Sequence, residues 1–379
     1  MFTPIPGGSA ASISAGFRAL QKQGLRGDIK QNLIKCQLNA GAARPYIDPK
    51  DGQAYVSIFN REDGKYIMIP VENALLQKDE WKYLDRRVLP VAQGILTGIN
   101  DLKAKGLTEN LGSLGVTIVE AEHMSDVSEA SVDMSGASEG EEDLPEYTTT
   151  GIPVPIIHKG FRLDLRKLEA SRRVGQGLDV TGAIAATRKV AWKAEEMLFN
   201  GVTLKAGGYS IYGYTNFPQR LRANLTTAWD EGQTTLLTEV EHMIGMLMDN
   251  NFMGPFYLYV PTNYWPVLIK DYSTYKNGTY YDRIMAYPQI EAVRPSSVLG
   301  SKEIVMVQLT ADVVDLVIGQ DIVPVEWDEK GGLVQHMKIM ACMAPRLRYQ
   351  IKEDDSSEST SCGICHAFEA GTSTTTTAA

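Results

Sequence analysis

The residues most able to do chemistry in this chain are Cys362, Cys365 and His366, which stand as Cys-Gly-Ile-Cys-His. That spacing matches the pattern in which two thiols form thioether links to a c-type haem and the histidine ligates its iron. The surroundings argue against a haem. The flanks are Ser, Thr and Ala, and no Met or His follows His366 to supply a second axial ligand. The N-terminal Met-Phe-Thr-Pro-Ile-Pro-Gly-Gly also lacks the basic-then-apolar order of an export signal. The expectation is no cofactor, with a haem or redox protein kept as a remote alternative. Two readings of the thiols stay open: an exposed pair that forms disulfides with a partner, Cys36 being a further candidate, or simple free thiols. Cys342 lies in an apolar run and reads as a small buried hydrophobe.

Other catalytic patterns are missing. There is no Gly-rich phosphate loop ending in Lys-Ser or Lys-Thr, no dinucleotide fingerprint and no His-Glu-x-x-His. His123, His158, His242, His336 and His366 are scattered, so no metal cluster is expected. The chain does not read as an enzyme.

Charge carries more information. Between Lys105 and Lys159 there is no Lys or Arg but eleven Asp and Glu, among them Glu139, Glu141, Glu142 and Asp143. From Lys159 to Lys205 the sign reverses: ten cations, including Arg166, Arg172, Arg173 and Lys189, stand against five acids. Two adjacent segments of opposite sign suit a molecule that meets copies of itself, the acidic arm of one on the basic face of the next. An acidic loop beside an ordinary solvated helix is the competing reading. Residues 1–50 add seven cations against two acids, enough for weak contact with a polyanion.

The elements that must carry these charges follow from periodicity. Ala54 to Phe59 and Lys65 to Val71 read as two strands around an Arg-Glu-Asp-Gly turn, after an arm with a possible short helix at Ser12 to Ala19. Trp81, Leu84, Val88, Val91, Ile95 and Ile99 predict a helix over 78–104, with Asp79 as N-cap and Pro90, Gly94 and Gly98 as kink points. The acidic segment, poor in large side chains and flanked by β-prone pieces, reads as a thin two-stranded excursion that needs outside support. A short helix over Asp164–Val174 and a long one from Asp179 to Asn200, closed by Gly201, come next. A mixed region over 202–327 includes a helix at Thr238–Asn250 and strands at Pro255–Val260, Ile304–Leu309 and Asp315–Ile318, the last broken by Gly319-Gln320-Asp321. Leu333–Met343 reads as the final strand, followed by a polar tail. Eleven of the seventeen tyrosines fall between Tyr209 and Tyr287, which suits subunit contacts.

A length of 379 residues allows a substantial core, and the net charge of −9 argues against a sequence-specific DNA reader. No run of eighteen apolar residues exists, so neither a membrane span nor a membrane partner is expected.

Two stretches resemble encapsulin shell proteins and tailed-phage major capsid proteins of the Hong Kong 97 type. The first runs Phe161-Arg-Leu-Asp-Leu-Arg-Lys-Leu-Glu169, then Leu178-Asp-Val180, then Ala194-Glu-Glu-Met-Leu-Phe-Asn-Gly201. The second is Gly254-Pro-Phe-Tyr-Leu-Tyr-Val260 with Asp315-Leu-Val-Ile-Gly-Gln-Asp321. The resemblance implies an α+β capsid fold, with 1–74 an N-terminal arm and 75–113 the first part of a peripheral domain. It makes 114–156 an extended loop, 157–201 the peripheral domain with its spine helix, and 202–327 an axial domain. Residues 328–350 would be the last peripheral strand and 351–379 a flexible C-terminal tail. It implies a major capsid protein enclosing double-stranded DNA, assembled in the host cytoplasm and resident in the virion. An encapsulin-like compartment around a cargo enzyme is the alternative. Implied partners are copies of the chain in hexamers and pentamers, decoration or cement, portal and scaffold proteins, and nonspecific contact with packaged DNA. In such shells one subunit's extended loop lies across its neighbour, which would bring Glu139, Glu141, Glu142 and Asp143 toward Arg166, Arg172, Arg173 and Lys189 in trans. The loop has no lysine for the isopeptide weld of some relatives.

Overall fold

The structure is a computed structural model that describes residues 45–48, 54–60, 65–70, 78–112, 114–124, 134, 147–164, 166, 170, 173, 180–206, 209–230, 235–273, 276–329, 334–354 and 357–369. Strands β1 (Pro45–Ile47), β2 (Ala54–Asn60) and β3 (Lys65–Pro70) form an antiparallel meander with β2 in the middle. The predicted helix over 78–104 is two helices, α1 (Lys78–Gln93) and α2 (Thr97–Ala104). The break falls at Gly94, whose N–H bonds back to the Pro90 carbonyl at 3.0 Å. The chain then runs into β4 (Thr108–Asn110) and a hairpin of β5 (Ile118–Met124) and β6 (Tyr147–Pro153). After β7 (Ile156–Asp164) comes α3 (Thr181–Asn200), a rod of about 30 Å. Gly201, at φ +68°, ends it; a side chain there would also strike the Ile211 carbonyl.

A second body follows. It begins with β8 (Val202–Ala206), β9 (Tyr209–Ile211), β10 (Leu221–Leu225), α4 (Leu236–Asp249) and β11 (Phe256–Pro261). It continues through α5 (Trp265–Leu268), β12 (Asp271–Ser273), β13 (Lys276–Thr279) and α6 (Tyr280–Met285) to β14 (Ile290–Ser296) and β15 (Glu303–Gln308). The long strands β16 (Val314–Glu329) and β17 (Val334–Leu347) return to the first body. Then come β18 (Gln350–Asp354), β19 (Ser357–Ser361) and β20 (Ile364–Glu369).

Two sheets organise these pieces, in the orders β4-β16-β17-β7 and β10-β20-β15-β11-β14. In the second sheet every residue of β11 and β15 is buried, as continuous apolar runs such as Leu258-Tyr-Val260 and Ile304-Val-Met-Val307 require. Leu236, Val240, Met243, Ile244 and Leu247 make the buried stripe of α4, which packs on β10 and β20.

Four expectations are corrected. Residues 350–369 are not a flexible tail: β20 lies between β10 and β15, parallel to the first and antiparallel to the second. Its partners are remote in sequence, and a short Ile-Cys-His-Ala core inside Ser/Thr-rich flanks gives little compositional signal. Gly319-Gln320-Asp321 does not break its strand. β16 runs through it, absorbing the irregularity as register shifts between Ile318 and Gln320 and between Gln320 and Val323. Nor does the last predicted strand stop at Met343, since β17 pairs as far as Leu347. Finally, Tyr214, Tyr259 and Tyr264 are fully buried, their rings packed against Phe199 and Trp229. Those tyrosines serve the core and not a subunit contact. The predicted arm helix at Ser12–Ala19 lies outside the described residues, as does most of the one over Asp164–Val174.

Removing residues 350–379 should leave a chain that aggregates or melts without a cooperative transition, because β15 and β10 lose the strand between them. Calorimetry checks this; a truncated chain that melts sharply near the full-length temperature would contradict it.

Candidate assembly interface

Alternation along β17 organises the first body. Its odd-numbered residues Met337, Ile339, Ala341 and Met343 are buried in the clusters that hold Ala183, Ala186, Val190, Ala191 and Ala194 of α3 and Leu84 and Val88 of α1. The even-numbered Cys342 and Ala344 point the other way, into a cluster with Val154, Val317, Leu111, Leu114, Val119 and Ile152. A strand places successive side chains on opposite faces. The body is therefore three layers: helices α1 and α3, the four-stranded sheet, and the root of the β5–β6 hairpin on the far side.

An ion cluster centred on the buried Arg346 and Asp315 holds that root. Arg346 grips Asp315 through Nε at 2.8 Å and Nη2 at 2.5 Å, while Nη2 also reaches Glu109 Oε2 at 2.5 Å and Nη1 donates to the Glu120 carbonyl of β5 at 3.5 Å. Arg348 adds a second cation on Asp315 at 2.8 Å. Burial disfavours the Arg346 charge, but the two carboxylates outweigh it and hold its pKa above the usual guanidinium value. Beyond the root the hairpin is open: Tyr147 to Thr150 are exposed, Tyr147 by 63%. An isolated two-stranded ribbon is marginal in water.

Farther along β17 on the same face, the sheet carries a cross-strand row. Arg162 of β7 faces His336 of β17, which faces Trp327 of β16. The Trp327 and His336 rings stack at 5.5 Å with 13° between planes, and Lys338 Nζ sits 5.2 Å from the Trp327 ring centroid. Trp327 is 37% exposed, and Arg162 and His158 are exposed on the same face. Sequence reading missed this row because its members come from three strands and alternate with core residues.

The predicted contact residues are dispersed. Arg166 and Arg173 are exposed, and Lys189 is exposed on α3, on the helix side of the sheet and away from the hairpin root. Arg172, Glu139, Glu141, Glu142, Asp143 and Cys36 lie outside the described residues. Cys362 and Cys365 are fully buried free thiols, pushed up to about 12 by burial. The reading of them as exposed disulfide partners is overturned, since neither surface access nor thiolate is available. The same burial leaves no room for thioether links to a haem. His366 is buried too, held neutral at about 3 by burial and by Arg220 and Arg222, and accepts Arg220 Nε at 3.3 Å. Gly136-Ala-Ser-Glu-Gly140 spells a nucleophile-elbow pattern, but its flanking sequence is acidic and small-residue, without the apolar run that precedes such an elbow.

A family model described as "Family of unknown function (DUF6260)" matches residues 71–328. The chain belongs to that family. It is 33% identical over 129 residues to the type 1 encapsulin shell protein EncA of Myxococcus xanthus, covering 33% of this chain and 42% of EncA. It is 30% identical over 142 residues to a diheme-cytochrome-encapsulin shell fusion protein of Kuenenia stuttgartiensis, covering 38% and 37%. The match thus spans about two fifths of the length of these curated relatives. Among solved structures, the virus-like particle from Pyrococcus furiosus superimposes with a TM-score of 0.53 at 15% identity, covering 76% of this chain and 98% of that one. The capsid of Myoviridae phage XM1 gives 0.52 at 11%, covering 70% and 89%. The fold is therefore the α+β Hong Kong 97-type fold, as the sequence resemblance implied.

Where α3 meets the second body, a polar cluster is sealed. Glu195, 1% exposed, accepts the Gly98 N–H at 2.6 Å and the Ile99 N–H at 3.3 Å, capping α2 from another helix. Gly98 permits the approach, since a Cβ there would lie 2.8 Å from a Leu198 methyl. Burial lifts the Glu195 carboxyl to about 7 against the pull of those N–H donors, with Asp101 adding to the rise. Asp101 is itself raised by burial, opposed by Arg294 at 3.5 Å and by the Tyr259 hydroxyl, which donates at 3.1 Å.

Because the folded chain holds the Glu195 proton more tightly than the unfolded one, this group's contribution is full below about pH 4.5. It is lost as pH rises toward 7, on the order of 3 kcal/mol in all. Urea unfolding across that range should show the decline, and Glu195→Gln should flatten it; an unchanged slope in the variant would refute the assignment. Arg346→Met strands Asp315 and should cost about 3 kcal/mol in the same assay, whereas a loss below about 0.5 kcal/mol would mean that Arg348 suffices.

Proposed function

We propose that this DUF6260 member is a shell-forming protein. In its finer form the reading is the major capsid protein of a tailed bacteriophage, closing with its own copies into an icosahedral container for double-stranded DNA. The observation that carries it is the hairpin: anchored by Arg346 at its root, exposed from Tyr147 to Thr150, and continued by an acidic segment without a single Lys or Arg. Such an arm gains its support from a second copy. The row of Arg162, His336, Trp327 and Lys338 lies on the same side of the sheet and has the complementary sign. In this reading α3 is the spine helix, β5–β6 the extended loop, and the five-stranded body the axial domain. Each exposed charge contact is worth about 0–1 kcal/mol, but a closed shell repeats it many times. No enzymatic role is proposed.

An encapsulin-like compartment is the second reading, favoured by the two curated relatives, both named as encapsulin shell proteins. The long acidic arm and the cationic helix face described below favour the capsid.

Reversing Arg162 and Lys338 to Glu should abolish particles in negative-stain micrographs while circular dichroism and melting temperature stay unchanged. Normal particles from that variant would defeat the docking of the arm on the row. A wild-type chain that sediments as a monomer at high concentration would defeat the shell itself.

A further inference from the structure

On the helix side of the sheet, α1 and α3 lie in one layer and turn their solvent faces away from both the sheet and the hairpin root. On α3 the exposed positions Ala185, Arg188, Lys189 and Trp192 recur at spacings of three and four, a single stripe. Trp192 is 41% exposed, an unusual setting for an indole with no partner ring among the described residues. On α1, Tyr83, Arg86 and Arg87 are exposed, with the Arg87 guanidinium 5.4 Å from the Tyr83 ring. Among the described side chains of the two helices, four carboxylates are partly or wholly withdrawn. Glu195 is buried under α2, Glu196 is engaged by Lys193 at 2.8 Å, and Glu80 and Asp85 are half-buried. In a chain of net charge −9 this layer therefore presents guanidinium and ammonium groups interleaved with aromatic rings.

We propose that the solvent face of the α1–α3 layer binds the phosphate backbone of duplex nucleic acid, without sequence preference. The proposal rests on the shell reading and adds to it the face and the residues that meet the contents. Arg86, Arg87, Arg188 and Lys189 supply the charge; Trp192 and Tyr83 supply flat apolar surface beside it. Among the described residues this face is built from the flanks of two helices, so contact with phosphate and sugar is the mode that fits. The acidic arm of a second copy is the competing occupant. It springs from the opposite side of the sheet, where the Trp327 row already offers cations, and so fits this face less well.

The test mixes a 20-base-pair duplex of mixed sequence with full-length chain before assembly and titrates salt. Arg86→Gln, Arg87→Gln, Arg188→Gln and Lys189→Gln together should weaken binding about tenfold or more near 0.1 M salt and flatten the log–log salt slope by about three to four units. The Arg162→Gln, Lys338→Gln pair should leave both unchanged. Particle formation by the four-site variant, read in micrographs, keeps the two proposals apart. Shells that form normally but lose DNA affinity support the inference. Retained affinity and slope overturn it. Lost assembly with DNA affinity unchanged also overturns it, the face then being a contact between copies.

Discussion

The burial of β17 on both faces is the constraint on which the other features depend. Its odd-numbered side chains lie under the helices, and the even-numbered Cys342 and Ala344 lie under the root of the hairpin. A shift of one residue in its register would exchange the two sets and carry His336 and Lys338 under the helices. With that strand set, α3 has one orientation and the hairpin leaves from the opposite layer. The cations then divide into two populations that cannot serve one ligand. Arg162 and Lys338 share the hairpin's side, while Arg188 and Lys189 share the helices' side.

Electrostatics then tie the layers together at two sealed points. Arg346 fastens β4, β16, β17 and β5 through Glu109, Asp315 and the Glu120 carbonyl. Glu195 fastens α3 to the start of α2, at the seam between the bodies. Arg346, Asp315 and Glu195 are buried polar groups with hydrogen-bond partners, so their loss costs more than that of an exposed pair. A platform made this way holds the hairpin at its root.

Much of the frame could be read from local pattern. The 3.6-residue stripe ending at Gly201 marks α3, the hairpin strands stand out by β-propensity and the acidic run by composition. The break in the first helix was signalled by Gly94. What escaped was non-local. β20 matters through partners at Leu221–Leu225 and Glu303–Val307, and nothing in Ile364-Cys-His announces them. Gly319 looked like a strand end because a bulge and a break use the same residue types. Arg346 and Glu109 are 237 positions apart, and the Trp327 row alternates with core residues on three strands. The Cys-Gly-Ile-Cys-His motif misled in the other direction, since it is a piece of apolar strand that happens to carry reactive residue types.

The central claim is that β5–β6 completes its structure only on a sister molecule. Amide hydrogen exchange over residues 118–124 and 147–153, compared between dilute subunits and assembled particles, addresses it directly. Fast exchange in the subunit that slows by orders of magnitude on assembly is the result this account predicts. Equal protection in both states would contradict it, since the hairpin would then be supported by its own chain.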